Sequence, residues 1–206
     1  MERFDTKAKE WDNNPDKSKR AKTFAIEIGD YIKPNKTKNA LEFGCGTGLL
    51  SFELKDAFKT IALVDTSEGM IDVLKDKIEK QGIKNFKPLL ADLLKENTDI
   101  TDIDVIYTLM TMHHINDLDK AFRVFKNVIN TNGYLCIADL VEEDGSFHAP
   151  ELNFDGHNGF NKKELSTKLA GYGFIMEYYS IPHTIEKQQD TGIKKYPLFL
   201  MIAKKV

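Results

Sequence analysis

Apolar positions along this 206-residue chain fall into short runs, separated by stretches in which every third or fourth residue is apolar. Residues 17–33 carry Ala21, Phe24, Ala25, Ile28 and Ile32 at helical spacing, and Pro34 and Asn35 end the pattern. A strand is predicted at 40–43, followed by a glycine-rich turn and a helix from about 48 to 58. A second strand at 60–64 ends at Asp65. Thr66 or Ser67 then caps a helix, SEGMIDVLKDKIEK, which Gly82 closes. Residues 85–90 and 104–109 read as the third and fourth strands. Residues 117–129 place Leu118, Ala121, Phe122, Phe125 and Val128 on one helical face. Thr131-Asn132-Gly133 forms a turn into a fifth strand at 134–140. Residues 141–160 lack clear periodicity and contain Gly145, Pro150, Gly156 and Gly159. A helix at about 161–170 stops at Gly171, and two strands near 174–181 and 196–203 close the chain.

Strands regularly separated by helices imply a mostly parallel sheet covered on both faces. The last two strands lack an intervening helix and are expected to pair as an antiparallel hairpin at one edge. The fold class is therefore α/β, with seven strands and a modified edge. No repeat, low-complexity tract or linker divides the chain, so one domain is expected over 1–206. Within it, 1–35 form a helical cap or lid, 38–140 a cofactor-binding core, 141–160 a substrate-side insertion, and 161–206 the final helix and edge hairpin.

Composition narrows the function classes. The chain has 29 Lys+Arg against 32 Asp+Glu, a net charge of −3, which gives no general attraction to phosphate backbones and disfavours a nucleic-acid binder. No apolar run approaches the roughly 18–20 residues of a membrane span, and the charged start lacks a signal-peptide core. Two cysteines, Cys45 and Cys136, are too few for a disulfide scaffold or a cysteine-based zinc site. A cytoplasmic domain is expected.

The most informative stretch is Leu41-Glu42-Phe43-Gly44-Cys45-Gly46-Thr47-Gly48, between the first strand and a helix. Its glycines permit a sharp turn and the close approach of a ligand, although such a turn can also serve packing alone. In open α/β sheets ligands lie at the carboxyl ends of the strands, near the point where strand order reverses. Asp65, 17 positions after Gly48, can accept hydrogen bonds from both ribose hydroxyls. Asp92, in Leu89-Leu90-Ala91-Asp92-Leu93, is placed to receive an adenine amino group. Glu42 belongs at the pocket floor, where a carboxylate suits an ammonium and is awkward beside a pyrophosphate.

This combination resembles the class I S-adenosylmethionine-dependent methyltransferases, in particular the small-molecule group that includes quinone-biosynthesis-type enzymes. The matching segments are LEFGCGTG, VDTSEGM, LLADLL and YTLMTMHHIND. The resemblance implies a Rossmann-like sheet with an antiparallel last strand, S-adenosylmethionine as donor and S-adenosylhomocysteine as product. By position, Gly44, Gly46 and the backbone at Cys45 would line the methionine moiety, with Glu42 near its amino group and Asp65 on the ribose. Thr66, Ser67 and Met70 would flank the adenosine, and Asp92 and Leu93 the adenine. Thr108 to Thr111 would close the pocket beside the methyl group.

Methyl transfer needs alignment more than a fixed catalytic side chain. An alcohol or phenol acceptor would also need a base, and His113 and His114 follow the fourth strand at the right end. The alternative for either is to cap the loop or pack beneath it. His148 and His157, with Asp139 and His114, match no defined ligand spacing, so no metal is expected. Trp11, Phe4 and Asp12 belong to the segment that folds over the substrate or anchors by packing. Neither cysteine is placed as a nucleophile, and the fourth strand lacks the Asn/Asp-Pro-Pro-aromatic motif of amine-methylating enzymes on polymeric substrates. The acceptor is expected to be a small molecule, its nucleophile unresolved between O, N and C, and the oligomeric state is not legible. Two other readings stand beside this one: a nicotinamide-dependent oxidoreductase on a related fold, and a non-catalytic S-adenosylmethionine-binding module.

Overall fold

The computed structural model describes residues 2–96, 98–149, 154–189 and 192–206. The seven strands are β1 (Asn39–Phe43), β2 (Thr60–Asp65), β3 (Phe86–Leu90), β4 (Ile103–Leu109), β5 (Ile129–Leu140), β6 (Phe174–Gln189) and β7 (Gly192–Lys205). They form one sheet in the order β3-β2-β1-β4-β5-β7-β6. β7 runs antiparallel to both β5 and β6, and the other described pairings are parallel. The helices are α1 (Glu2–Lys7), α2 (Pro15–Ile32), α3 (Leu49–Glu53), α4 (Glu68–Gln81), α5 (Leu118–Val128) and α6 (Lys162–Gly171), with short 3-10 turns at Ala8–Asn13 and Met112–His114.

Burial on both faces explains the near-continuous apolar strands. On one face, Phe24, Ile28, Leu50, Phe58, Leu74 and Tyr107 pack with the inward residues of β7. On the other, Phe122, Phe125, Leu165, Leu169 and Phe199 pack with Ile106, Leu135 and Ile137. Alternation along β4 sends Tyr107 to the first face and Ile106 to the second. The fully buried Phe24 and Phe122 each contribute an amount that truncation to Ala would reveal as about 3–5 kcal/mol.

Several boundaries differ from the sequence expectation for local reasons. α2 starts at Pro15 because the Asn14 side chain accepts from the Asp16 N–H at 2.9 Å and proline suits a first helical position. The helix expected over 48–58 is only α3; Asn85 Nδ2 donates to the carbonyls of Lys55 and Phe58, at 2.8 and 3.2 Å, so the chain continues as turns. Leu54 and Phe58 remain buried, which preserves the helical pattern without the helix. Thr131-Asn132-Gly133 lies inside β5, where the pairing with β4 shifts register and Asn132 takes φ 64°. The hairpin strands are longer than expected, and residues 1–16, unassigned from periodicity, contain α1 and a 3-10 turn. Pro150 lies outside the described residues.

Candidate functional site

Strand order reverses between β1 and β4, and the loops leaving these two strands meet at the sheet's carboxyl edge. Thr111 Oγ1 donates to the Gly44 carbonyl at 3.2 Å, joining the glycine loop to the turn that carries His113 and His114. The glycines serve different purposes. A Cβ at Gly44 would lie 2.2 Å from the Thr111 methyl carbon, so this glycine permits the junction of the two loops. At Gly46, with φ 53°, a Cβ would meet only Met70 Sδ and Trp11 Nε1, each at 3.9 Å. Gly46 therefore faces the space bounded by Met70 and Trp11, and there a ligand can approach the backbone.

Asp65 organises this cradle. Its Oδ2 accepts from the Gly46 N–H at 2.7 Å and its Oδ1 from the Ser67 N–H at 2.9 Å. Burial raises its carboxyl above the usual aspartate range, opposed by those backbone donors. Ser67, not Thr66, caps α4: its Oγ accepts from the Met70 N–H at 3.2 Å, while Thr66 is exposed. Glu42 lies at the floor, 3 % exposed, accepting from the Ser51 N–H at 3.2 Å and from the Ser51 hydroxyl. Ser51 Oγ also meets the Tyr107 hydroxyl at 2.7 Å. Burial pushes the Glu42 carboxyl up to about 8, despite the two Ser51 bonds. Cys45 donates its N–H to Val64 O at 3.0 Å, and its thiol is buried.

The remaining expected positions are placed differently. Asp92 Oδ1 accepts from the Leu94 N–H at 3.0 Å and Oδ2 pairs with Lys95 at 3.0 Å, so its carboxylate is committed to a local turn. Leu93 is buried with Leu41, Phe43 and Val64 in the core behind the sheet. Thr108 is fully buried within β4, on the face of Ile106, and does not close the cradle. Thr111 takes the position at the junction expected somewhere within 108–111.

Residues 2–13 cross this edge. Asp5 Oδ1 accepts from Ser67 Oγ at 2.6 Å and from the Gly69 N–H at 2.9 Å, adding a second acceptor at the start of α4. Those bonds hold the Asp5 carboxyl below its ordinary value. Asp12 accepts from Thr47 Oγ1 at 2.5 Å and pairs with Lys77 at 2.6 Å, and Lys77 also donates to the Thr47 carbonyl. Phe4 and Trp11 meet edge-on at 6.0 Å, and Phe4 meets the His114 ring at 5.6 Å. An aromatic line thus runs from Gly46 through Trp11 and Phe4 to His114. Sequence periodicity missed Asp5, because a single acidic residue in an exposed helix carries no signal until α4 is packed beside it.

His113 is buried, its Nδ1 2.6 Å from Asp139 Oδ1 and its backbone N–H donating to Asp139 Oδ2 at 3.2 Å. Asp139 sits near the end of β5, fully buried, and also accepts from the Leu140 N–H at 2.7 Å. His114 is half-buried and faces Phe4. His157 turns away, its Nε2 on the Ile115 carbonyl at 3.0 Å, while its N–H donates to the His113 carbonyl at 2.7 Å. A Cβ at Gly156 would lie 2.2 Å from that same carbonyl, so a glycine is needed for the segment to lie against the histidine turn.

A carboxyl-rich cradle is ill-suited to a pyrophosphate. Glu42, Asp65, Asp5 and Asp12 surround it, the loop feeds a helix of only five residues, and the start of α4 already holds a carboxylate. The same acids suit a ligand bearing ammonium and sulfonium charges.

Comparison with known proteins points the same way. Residues 34–192 match the family described as a methyltransferase domain. An uncharacterized methyltransferase of Schizosaccharomyces pombe is 32 % identical over 139 residues, which are 61 % of this chain and 49 % of that protein. A ubiquinone biosynthesis O-methyltransferase of Pelagibacter ubique is 31 % identical over 120 residues, 58 % of this chain and 48 % of that one. The matches thus span about half the length of these two relatives. In fold, the chain superposes with a TM-score of 0.70 on an N-methyltransferase from Haemonchus contortus solved with phosphomonomethylethanolamine and S-adenosylhomocysteine, at 13 % identity over 88 % of this chain and 52 % of the other. The nicotinamide reading is not favoured by any of these. With a family match over most of its length and a cradle of matching chemistry, the chain belongs to the methyltransferase-domain family, on the class I S-adenosylmethionine-dependent methyltransferase fold.

Proposed function

We propose that this chain transfers a methyl group from S-adenosylmethionine to a small-molecule acceptor. The observation that carries this reading is the junction of the Gly46–Asp65 cradle with the histidine turn through the 3.2 Å bond from Thr111 to Gly44. It brings a cation-compatible, Cβ-free ligand surface beside a pair of imidazoles. The residues fit the donor. Gly46 offers backbone to a close ligand, Glu42 a buried carboxyl for an ammonium, Asp65 a carboxylate for ribose hydroxyls, and Met70 an apolar wall. When bound, the donor supplies a methyl group on a sulfonium for in-line displacement.

The chain's own work is to orient and to exclude water. Alignment and desolvation of this kind can contribute roughly 7–11 kcal/mol to a displacement. Residues 2–13 supply the cover: Asp5 and Asp12 fasten it to α4 and to the glycine loop, and Trp11 and Phe4 border the space beneath. For a hydroxyl acceptor, His114 takes the proton, because its half-buried ring borders that space. His113, locked onto Asp139, holds the turn and orients its neighbour. The adenine end is assigned to the cradle wall around Met70 with less support from Asp92 and Leu93, whose side chains are otherwise engaged. Domain extent over 1–206, a small-molecule partner and a cytoplasmic setting belong to the same proposal; the buried free thiols of Cys45 and Cys136 suit a reducing compartment.

The test is calorimetric titration of the purified chain with S-adenosylmethionine, S-adenosylhomocysteine and NADH in parallel, followed by turnover with hydroxyl, amine and thiol acceptors. Micromolar binding of both sulfur ligands without NADH is expected. Binding of NADH alone would overturn the proposal. Donor binding without turnover on any acceptor would favour the non-catalytic module.

A further inference from the structure

Residues 154–160 lie against the turn after β4, where the His157 N–H donates to the His113 carbonyl, and residues 141–149 bring a third imidazole to that His113–His114 turn. His148 is buried, 5 % exposed, and stacks on Phe154 with ring centroids 3.8 Å apart and planes at 11°. Its ring lies 5.1 Å from that of His113 and 5.4 Å from that of His114, while His113 and His114 are 4.1 Å apart. One nitrogen from each of the three rings lies within 4.8 Å of the other two.

We propose that His113, His114 and His148 form a binding site for a divalent late transition-metal cation, with Zn²⁺ as the reference ion. Three imidazoles with a fourth position left to water or substrate form the ligand set of a catalytic zinc, and imidazole favours zinc, copper, cobalt and nickel over magnesium or calcium.

One further feature of the cluster favours coordination over simple ring packing. Asp139 engages His113 Nδ1 at 2.6 Å, which leaves Nε2 as the atom that can coordinate; a carboxylate behind the ring is the outer support that metal-bound histidines need. That carboxylate is itself held by two backbone N–H groups, of His113 and Leu140.

A tetrahedral ion with 2.0–2.1 Å bonds needs its nitrogens about 3.3 Å apart. The cluster must close by up to about 1.5 Å from 4.8 Å, within reach of χ rotation at His114, half-buried on a three-residue turn. Histidine spacing in the sequence gives no hint of this, since His148 lies 34 residues beyond His114, and His157, nine residues further on, is bonded elsewhere.

The role of the cation rests on the methyl-transfer reading; its binding does not. Beside the donor cradle, the cation would take an acceptor's hydroxyl or thiol as its fourth ligand and favour loss of its proton at neutral pH. Coordination through His114 would then replace proton abstraction by it, and the acceptor class narrows to alcohols, phenols and thiols.

The experiment uses the full, untagged chain stripped of metal, titrated with Zn²⁺ against a chromogenic chelator and with Co²⁺ followed by visible absorption. One equivalent per chain is expected, with Co²⁺ showing bands of a low-coordinate, nitrogen-ligated ion. His148→Phe keeps the stack on Phe154 and should abolish the site with little change in melting temperature; His114→Ala should also abolish it. Asp139→Asn should weaken Zn²⁺ binding about 10–100-fold, and His157→Ala should leave it unchanged. Absence of stoichiometric binding, or a site that survives His148→Phe, would overturn the proposal. S-adenosylmethionine binding, measured on the same samples, separates the two readings. Zinc without donor binding upholds the site and removes its role, whereas donor binding without zinc overturns the site alone.

Discussion

The Asp65 carboxylate accepts the Gly46 backbone N–H at 2.7 Å, so the end of β2 and the turn after β1 form one unit. Two strands that are neighbours in the sheet thus jointly fix the surface on which the donor is proposed to rest. Asp65→Ala should weaken S-adenosylmethionine binding by roughly 1–3 kcal/mol through lost hydrogen bonds to ribose and to the loop. Calorimetry reads this directly, and unchanged affinity would remove Asp65 from the site. Gly46→Val should abolish donor binding while Gly44→Val should disrupt folding, because the first points a side chain into the cradle and the second into Thr111. Thermal unfolding of both variants distinguishes these effects.

Glu42 gives the chain a defined pH dependence. Its folded carboxyl is raised from 4.5 to about 8 by burial. Above pH 4.5 the unfolded chain releases this proton while the folded chain keeps it, so the Glu42 contribution to stability falls from about pH 4.5 to 8 and then levels. Glu42→Gln should flatten that part of the curve, measured by urea unfolding at pH 5, 6.5 and 8. A ligand ammonium beside Glu42 favours its ionised form. Donor binding at pH 7 should therefore release protons, seen as a buffer-dependent calorimetric enthalpy that disappears in Glu42→Gln.

Trp11 is the sole tryptophan and its indole nitrogen borders the Gly46 surface. Its emission should change saturably on titration with S-adenosylmethionine, and Trp11→Phe should remove the signal. A spectrum unmoved by donor that calorimetry shows to be bound would place residues 2–13 away from the ligand.

The two adjacent histidines should fail differently. His113→Ala leaves the buried Asp139 without its ring partner and should cost about 3–5 kcal/mol of stability in urea unfolding. His114→Ala removes a half-buried ring on the acceptor side and should lower turnover far more than donor affinity or stability. Equal losses of stability in the two variants would make both residues structural.

The sheet was legible because its strands are buried on both faces and its helices on one, which leaves apolar runs and 3.6-residue stripes that survive in one dimension. The glycine loop, Glu42 and Asp65 were legible for a related reason: a turn at a strand end needs particular residues at fixed offsets. Helix ends were less so, since the fate of residues 54–58 was decided by Asn85, 27 residues beyond Phe58. Asp92 and Leu93 read as adenine contacts; in the fold Asp92 pairs with a lysine three residues on and Leu93 packs into the core behind the sheet.

By itself, then, the sequence determined the α/β class, the order of elements and the cradle, all set by local spacing and hydrophobic period. Tertiary structure alone decided that Asp5 and Asp12 fasten residues 2–13 to α4 and the glycine loop, that only Gly46 of the first two loop glycines opens to the cradle, and that His148 rather than His157 joins the histidine pair. Each depends on segments distant along the chain being packed within a few ångströms, by contacts such as the one at Gly156, and no spacing along a single chain encodes such a distance.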